Sequence, residues 1–144
     1  MSTQTLPNTI VRTIKVDRSR TSQEALDTTK RIQRTDKKVV ASMPRGEGDE
    51  VEMTFFQLGG YATNDEVAAE YEAKRLKPDP YAQMAINEED PAFADEHPNS
   101  TQWPNGEGGY NYLGFDGWFG ERGVGCCRDV GGWSACWWFG GVPK

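Results

Sequence analysis

Cysteine and histidine side chains, which serve as zinc ligands or as a nucleophile and its base, number four in this 144-residue chain: the thiols of Cys126, Cys127 and Cys136, and the imidazole of His97, the single histidine. Zinc sites usually separate paired cysteines by about two to four residues, and adjacent cysteines do not fit this spacing. A catalytic cysteine would need His97 as its base and an Asp or Asn to orient the imidazole, and no pattern singles out such a residue. The sequence therefore predicts no metal, no cofactor and no catalytic residue.

The charge of the chain limits its partners. The net charge is −6 and the isoelectric point is near 4.8, which disfavours binding to nucleic acid or to an anionic membrane surface. No apolar run is long enough for a spanning helix, and Met1 to Asn8 lacks the features of a secretion signal. With an odd number of cysteines, these features predict a cytoplasmic protein. Several glutamates are expected on solvated faces and not in an acid–base pair: Glu66, Glu70, Glu72, Glu88 and Glu89.

The region from Tyr110 to Val142 mixes the largest side chains of the chain with the smallest. Tryptophans bury large apolar areas and fix the backbone around them, whereas glycine, serine and alanine contribute little to a core. Such a mixture also occurs in any compact β-rich end of a domain where aromatic rings cover glycine backbone. We expect the following tryptophans to form a scaffold: Trp118, Trp133, Trp137 and Trp138.

Codon chemistry separates the same region from the rest of the chain. Asn, Lys, Thr, Ile, Met, Gln, His, Asp, Glu and Tyr all need an adenine in their codons. Between Tyr112 and Pro143 only Tyr112, Asp116, Glu121 and Asp129 belong to this set, whereas the preceding residues contain many of them. A GC-rich genome would deplete adenine throughout the gene, so the contrast within one chain argues against that explanation.

Upstream segments are expected to hold this region in place. Residues 9–16 and 50–58 alternate apolar and polar side chains as strands do, and the first is predicted near a sheet edge. Two other segments begin with helix-capping residues and continue with helical periodicity, over about 21–32 and 63–76. The segment 36–43 is compatible with either a helix or a strand.

The remaining segments differ in kind. Residues 79–86 favour a further helical turn, whereas 87–104, with three prolines and several acids, is predicted to be irregular and to run over the surface. The last third is predicted to be β-rich, with short strands over about 110–115, 124–128 and 137–142 separated by glycine turns.

Several motifs together resemble a known family. They are Trp118, Glu121-Arg122, Arg128, Trp133, the ending Trp137-Trp138-Phe139 with Gly141-Val142, and upstream Met43-Pro44-Arg45-Gly46-Glu47-Gly48 and Asp90-Pro91-Ala92-Phe93-Ala94-Asp95. These motifs resemble the variable proteins of diversity-generating retroelements, and the C-terminal half of C-type-lectin-like folds of the formylglycine-enzyme type. The resemblance covers most of the chain. It implies an α+β fold, a compact C-type-lectin-like domain over residues 9–144 after a flexible N-terminus of residues 1–8.

In such families a reverse transcriptase copies a template repeat, replaces adenines at random, and the product overwrites the 3′ end of the gene. The resemblance implies that N-terminal strands and helices support a C-terminal variable region of about 113–136. Asn codons of a template lead to the residues now at Gly125, Cys127, Asp129, Gly131, Ser134 and Cys136, and Asp codons lead by one base to Val130, Gly132 and Ala135. Tryptophan codons contain no adenine, so the scaffold survives the mutagenesis.

The resemblance also implies a function. The chain is expected to bind an unidentified ligand, most often a protein in such families, and to be encoded beside a reverse transcriptase and an accessory protein. An enzyme of the formylglycine-generating type, or another cysteine-dependent enzyme, is the alternative; the short chain and the position of its cysteines in the variable region disfavour it. The expected contact residues are Asp116, Phe119, Gly120, Gly123, Gly125, Cys127, Asp129, Val130, Gly131, Gly132, Ser134, Ala135 and Cys136.

Overall fold

A computed structural model describes residues 9–129 and 131–144 of the chain, without the side chain of Phe119. The expected flexible N-terminus, the expected contact residue Val130 and the expected contacts of the Phe119 side chain lie outside the described residues.

The described ranges contain helices and strands in mixed order, which confirms the α+β class. The elements are β1 (Thr9–Lys15), α1 (Ser22–Asp27), β2 (Ile32–Thr35), α2 (Lys37–Ala41), β3 (Glu50–Phe56), β4 (Ala62–Thr63), α3 (Asn64–Ala73), β5 (Leu76–Lys77), α4 (Pro80–Glu89), α5 (Phe93–Glu96), β6 (Asn99–Pro104), β7 (Tyr110–Asp116), a 3-10 turn (Trp118–Gly120), β8 (Gly123–Asp129), β9 (Gly132–Trp133) and β10 (Trp138–Pro143).

One large sheet runs through the molecule in the order β1-β3-β10-β6-β7-β8-β2, and β5 pairs with β10 beside it. The pairs β10–β6 and β2–β8 are parallel, and the other neighbours along this path are antiparallel. Strands β4 and β9 form a separate antiparallel pair. The prediction that the first strand lies at a sheet edge is confirmed, as are the three strands expected in the last third.

The sheet separates two apolar clusters because neighbouring residues of a strand point to opposite faces. Phe55 and Trp138 point into the larger cluster, which is covered by α1, α2, α4 and α5. Their neighbours Phe56 and Phe139 point into a smaller cluster that includes Val67 and Tyr71 of α3. The larger cluster is the main core, and the smaller cluster supports the C-terminal region.

The predicted helix over 21–32 is too long. It is capped at Thr21 as expected, through a reciprocal bond pair with Glu24, but it ends at Asp27. Lys30 has a φ of 54°, which turns the chain out of the helix, and Ile32–Thr35 then pairs with β8. The ambiguous segment 36–43 is a helix, because the Asp36 side chain accepts a bond from the Lys38 amide at 2.8 Å.

The prediction that 87–104 is irregular and superficial is wrong. Helix α4 continues to Glu89, α5 follows, and Asn99–Pro104 forms β6 inside the sheet, between β10 and β7. All residues of β6 except Pro104 are buried, although most are polar. Polar composition normally indicates a surface segment, so the burial of β6 requires partners for its side chains.

Those partners are amides of α4. Gln83 is fully buried, and its Nε2 donates to the carbonyl oxygens of Asn99 and Leu113, both at 3.0 Å. Its Oε1 accepts from the Thr101 hydroxyl at 2.9 Å, and Asn87 Nδ2 donates to Asn99 Oδ1 at 2.9 Å. Because buried polar groups cost free energy only when they lack partners, this network makes a polar central strand stable.

We expect Gln83→Met to lower the free energy of unfolding by about 2 to 4 kcal/mol, since it leaves the Thr101 hydroxyl and two buried carbonyl groups without their partner. Chemical denaturation of the variant measures this loss. Gln33→Met is the control, because Gln33 is exposed and its side chain bonds to the side chains of Gln23 and Asp27 in α1; it should change stability by less than about 0.5 kcal/mol. Equal effects of the two substitutions would contradict the role of the network.

Candidate functional site

Strands β7 and β8 present two different faces. Leu113, Phe115, Val124 and Cys126 point into the main core. The alternate residues lie on the opposite face, in the register Tyr112↔Cys127, Gly114↔Gly125 and Asp116↔Gly123. The expected contact residues of these two strands therefore all share one face of the sheet: Asp116, Gly123, Gly125, Cys127 and Asp129.

A layer of tryptophans lies over this face. A Cβ atom at Gly114 would lie 3.3 Å from the Trp137 ring, so the absence of a side chain lets the indole approach the strand. The Trp137 ring meets Trp133 edge to face at a centroid distance of 5.1 Å and Trp118 at 5.3 Å. Trp133 also meets Tyr112 at 5.4 Å. The four rings form a continuous aromatic wall.

The wall is anchored to the rest of the fold through Trp133. Its indole Nε1 donates to Gln102 Oε1 of β6 at 3.1 Å, and Gln102 Nε2 donates in turn to the Asn64 carbonyl oxygen. On its other side Trp133 meets Phe139 of the smaller cluster at 5.6 Å. The backbone around the aromatic wall is thereby tied to the centre of the sheet and to the start of α3.

The four tryptophans expected as scaffold occupy different environments. Trp133 and Trp138 are buried, in the smaller cluster and the main core respectively. Trp137 is half-buried, and the Trp118 residue is 44% exposed. Trp118 is therefore a surface residue beside the expected contact residues. It is far more exposed than the buried Trp133.

A pocket of about 340 Å³ opens between the strand face and the aromatic wall. Tyr112, Gly114 and Gly125 line it from the sheet, and Trp118, Trp133 and Trp137 line it from above. Three charged residues, Asp116, Asp129 and Arg34, also line it, and Gly132 completes the lining.

The loop from 131 to 136 borders this pocket and is largely exposed. Gly131, Ser134, Ala135 and Cys136 are exposed, and Gln57 Nε2 lies 3.4 and 3.3 Å from the carbonyl oxygens of Ala135 and Cys136. Side chains of this loop are therefore available for contact, while its backbone is held by bonds from the end of β3.

Gly132 differs from its neighbour Gly131. It pairs with Thr63 in the small β4–β9 ladder, and a Cβ atom there would lie 2.6 Å from the Ala62 carbonyl oxygen and would also clash with the Tyr61 hydroxyl. A Cβ atom at Gly131 would meet nothing within 4 Å. The structure thus leaves room for a side chain at Gly131 and not at Gly132, although both were expected as contact residues.

Gly120 lies apart from the pocket. It ends the 3-10 turn with a φ of 77° and borders a separate shallow hollow with Asp95 and Arg122. Arg122 and Asp95 close one side of that hollow with an ion pair at 2.8 Å. Gly120 thus borders this hollow and does not line the pocket.

Sequence reasoning missed Arg34. It lies on β2 opposite Gly125, and its guanidinium reaches Glu121 at 3.4 Å. The segment that contains it was not expected to form a strand, so no local pattern brought Arg34 near the C-terminal region. The parallel pairing of β2 with β8 alone brings it to the site.

Burial changes the acidity of several groups on this face. It raises the pKa of both Asp116 and Asp129 above the ordinary value for an aspartate, although Arg34 and Arg31 partly offset the effect at Asp116. Burial also raises the pKa of the Tyr112 hydroxyl to about 12. The site therefore contains two carboxylates in a poorly solvated, aromatic environment.

The three cysteines, all within the described part of the chain, are unpaired and occupy separate environments. Cys126 is in the main core, where burial raises the pKa of its thiol to about 12; Cys127 is half-buried on the pocket side; Cys136 is exposed, 3.2 Å from the Ser134 hydroxyl. His97 stacks on Phe93 at 5.1 Å. Among the residues described, no three His, Cys, Asp or Glu side chains are grouped as metal ligands would be.

Comparison with known proteins identifies no relative: no family model, no curated protein and no solved structure matches this chain. Nor does the described part of the chain contain a helix of the length and apolar character needed to cross a membrane.

We expect Gly132→Ala to destabilise the protein by about 1 to 3 kcal/mol, because the added methyl group requires the β4–β9 pair to move. Gly131→Ala is the matched control and should change the free energy of unfolding by less than about 0.5 kcal/mol, because the position is open and exposed. Thermal melts of the two variants compare them directly. A Gly132→Ala variant as stable as the control would show that the ladder yields to a side chain.

Proposed function

We propose that this chain is a ligand-binding protein with a C-type-lectin-like fold, and that adenine-specific retroelement mutagenesis diversifies its C-terminal surface. The observation that carries the proposal is the alternation of β8. Gly125, Cys127 and Asp129 are partly exposed on the face that bears the pocket, whereas Val124 and Cys126 beside them are buried in the core; Gly123 shares the outward face but is buried under the Arg34 guanidinium. Codon variation at the outward positions would change the surface without changing the core.

The constant part of the surface supports the same proposal. A binding face with changing side chains must keep its backbone in place, and here the backbone is held by tryptophans whose codons contain no adenine. Trp133 is tied to Gln102, and Trp137 lies against Gly114. The outward small residues leave the pocket open in this variant, so the surface is concave beside an exposed loop.

A cysteine-dependent enzyme fits these residues less well. Such an enzyme needs a thiolate within reach of a base and a group that orients that base. The Cys126 thiol lies in the main core with a raised pKa, and the His97 ring is stacked on Phe93. Proteins are the ligand class proposed, because the candidate face combines two strands with an exposed loop and extends beyond a single small pocket.

Replacing the outward set with the residues of a sibling variant should change which partner is captured. The set is Gly125, Cys127, Asp129, Gly131, Ser134, Ala135 and Cys136, with Gly132 and the buried Gly123 kept. Capture by the two variants from one partner mixture measures binding, and the melting temperature should shift by less than about 4 °C. Substitution of Val11, Thr13 and Lys15, exposed on the edge strand β1 far along the sheet, is the control and should leave capture unchanged.

Two outcomes would contradict the proposal: an unfolded exchange variant, or capture of the same partner by both variants with equal affinity. The first would mean that these residues are structural. The second would mean that another surface binds the partner.

The DNA around the gene gives a second, independent test. We expect a near-copy of the coding sequence for the variable region downstream, differing only where the copy has adenine, beside a gene for a reverse transcriptase. Sequencing of the source genome checks this directly. A downstream region with no such copy, or a copy that differs equally at all four bases, would remove the mechanism of diversification from the proposal.

A further inference from the structure

The two carboxylates of the pocket have different partners. Asp116 lies beside Arg34 and Arg31, whose charges favour its ionised form. Asp129 Oδ1 accepts a bond from the Gly131 amide at 3.0 Å, but its Oδ2 is buried and has no hydrogen-bond partner among residues 9–129 and 131–144. Within the same ranges no Lys, Arg or His forms an ion pair with Asp129.

An incompletely paired, poorly solvated carboxylate is costly for the protein. Burial raises the pKa of Asp129, which is the expected sign of that cost. Asp129 lines the pocket, so a ligand that places a positive charge there would stabilise the ionised carboxylate through its charge. The carboxylate therefore favours a cationic ligand group over a neutral or an anionic one.

The aromatic rings favour the same kind of group. Neighbouring rings stand nearly perpendicular to one another: 73° between Trp133 and Trp137, 78° between Trp137 and Trp118, and 88° between Tyr112 and Trp133. Rings at such angles turn both edges and faces towards the space between them. The faces of tryptophan and tyrosine attract cations within about 6 Å of the ring centroid, most strongly where water is excluded.

We propose that this pocket receives a positively charged side chain, an arginine or a methylated lysine, of the partner protein, with Asp129 as its counter-charge and the rings of Trp118, Trp133 and Trp137 as its walls. The inference rests on the proposed binding function and specifies the chemistry of one partner residue. A volume of about 340 Å³ admits a side-chain head group, and the net charge of −6 attracts a basic partner.

Small cations test the proposal without knowledge of the partner. The probes are choline and the amide of Nα-acetylarginine, and the neutral control is 3,3-dimethylbutan-1-ol, which has the shape of choline without its charge. Indole N–H signals in ¹H–¹⁵N spectra report on each tryptophan separately. We expect both cations, at millimolar concentration, to shift the signals of Trp118, Trp133 and Trp137. Trp103 is the internal control, because it is buried in the main core and its Nε1 lies 3.2 Å from Ser42 Oγ.

Two variants separate charge from shape. Asp129→Asn removes the counter-charge, keeps the acceptor for the Gly131 amide and should weaken cation binding about tenfold. Asp49→Asn makes the same change in net charge at an exposed residue that does not line the pocket, and should leave binding unchanged. Trp118→Leu, at a residue 44% exposed, should also weaken binding and gives a second variant if Asp129→Asn does not fold.

The possible outcomes are distinct. Cation binding that is lost in Asp129→Asn and kept in Asp49→Asn supports the proposal. Equal binding of the neutral control would overturn it in favour of a purely apolar pocket, and a response to inorganic phosphate alone would point to Arg34 as an anion site and overturn it too. Shifts absent for both cations, while exchange of the outward residues still changes the captured partner, would reject the cation and leave the binding function standing.

Discussion

The fold and the candidate site both depend on the hydrogen bonds that the polar side chains of β6 form at the centre of the sheet. On one face Asn99 and Thr101 bond to Gln83 of α4, and on the other face Gln102 bonds to Trp133 and to the Asn64 carbonyl. The strand therefore joins the main helical layer to the aromatic wall of the candidate site through fully buried bonds. Hydrogen bonds of this kind require specific geometry, so they orient the indole in a way that apolar packing alone would not.

That anchor explains how a surface built from small residues keeps its shape. The rings from Trp118 through Trp137 and Trp133 to Phe139, and on to Phe56 and Tyr71, are in successive contact from the solvent to the smaller cluster. The buried rings thereby hold the exposed rings in place. The partly exposed residues of β8 and the exposed residues of the adjoining loop belong to neither apolar cluster, which is consistent with the proposed recognition of a partner: Gly125, Cys127, Asp129, Gly131, Ser134, Ala135 and Cys136.

Recognition and stability also make opposite demands on charge at this face. An incompletely paired carboxylate such as that of Asp129 lowers stability when it is ionised in a poorly solvated place, yet in the proposed complex the same carboxylate would strengthen binding to a cation. The main core lies on the far side of the sheet and does not include Asp129. The free-energy cost of ionising Asp129 therefore does not disturb the packing of the main core. Because the sheet separates the two clusters, the fold tolerates a costly group at the candidate binding face.

Local signals in the sequence determined the elements that depend on near neighbours. These are the alternating strands β1 and β3, the short strands of the last third, and the helix caps at Thr21 and at Thr63, which forms the same reciprocal bond pair with Glu66. Only the tertiary structure decided what depends on distant partners. It made the polar segment 99–104 a central strand because Gln83 supplies its bonds, and it brought Arg34 to the site through the parallel pairing of β2. Identical residue types were likewise separated by their surroundings, since Trp118 is exposed and Trp133 buried, and Gly131 is open while Gly132 faces the Ala62 carbonyl. Composition specifies which side chains are present, but burial and backbone proximity arise only when remote segments meet.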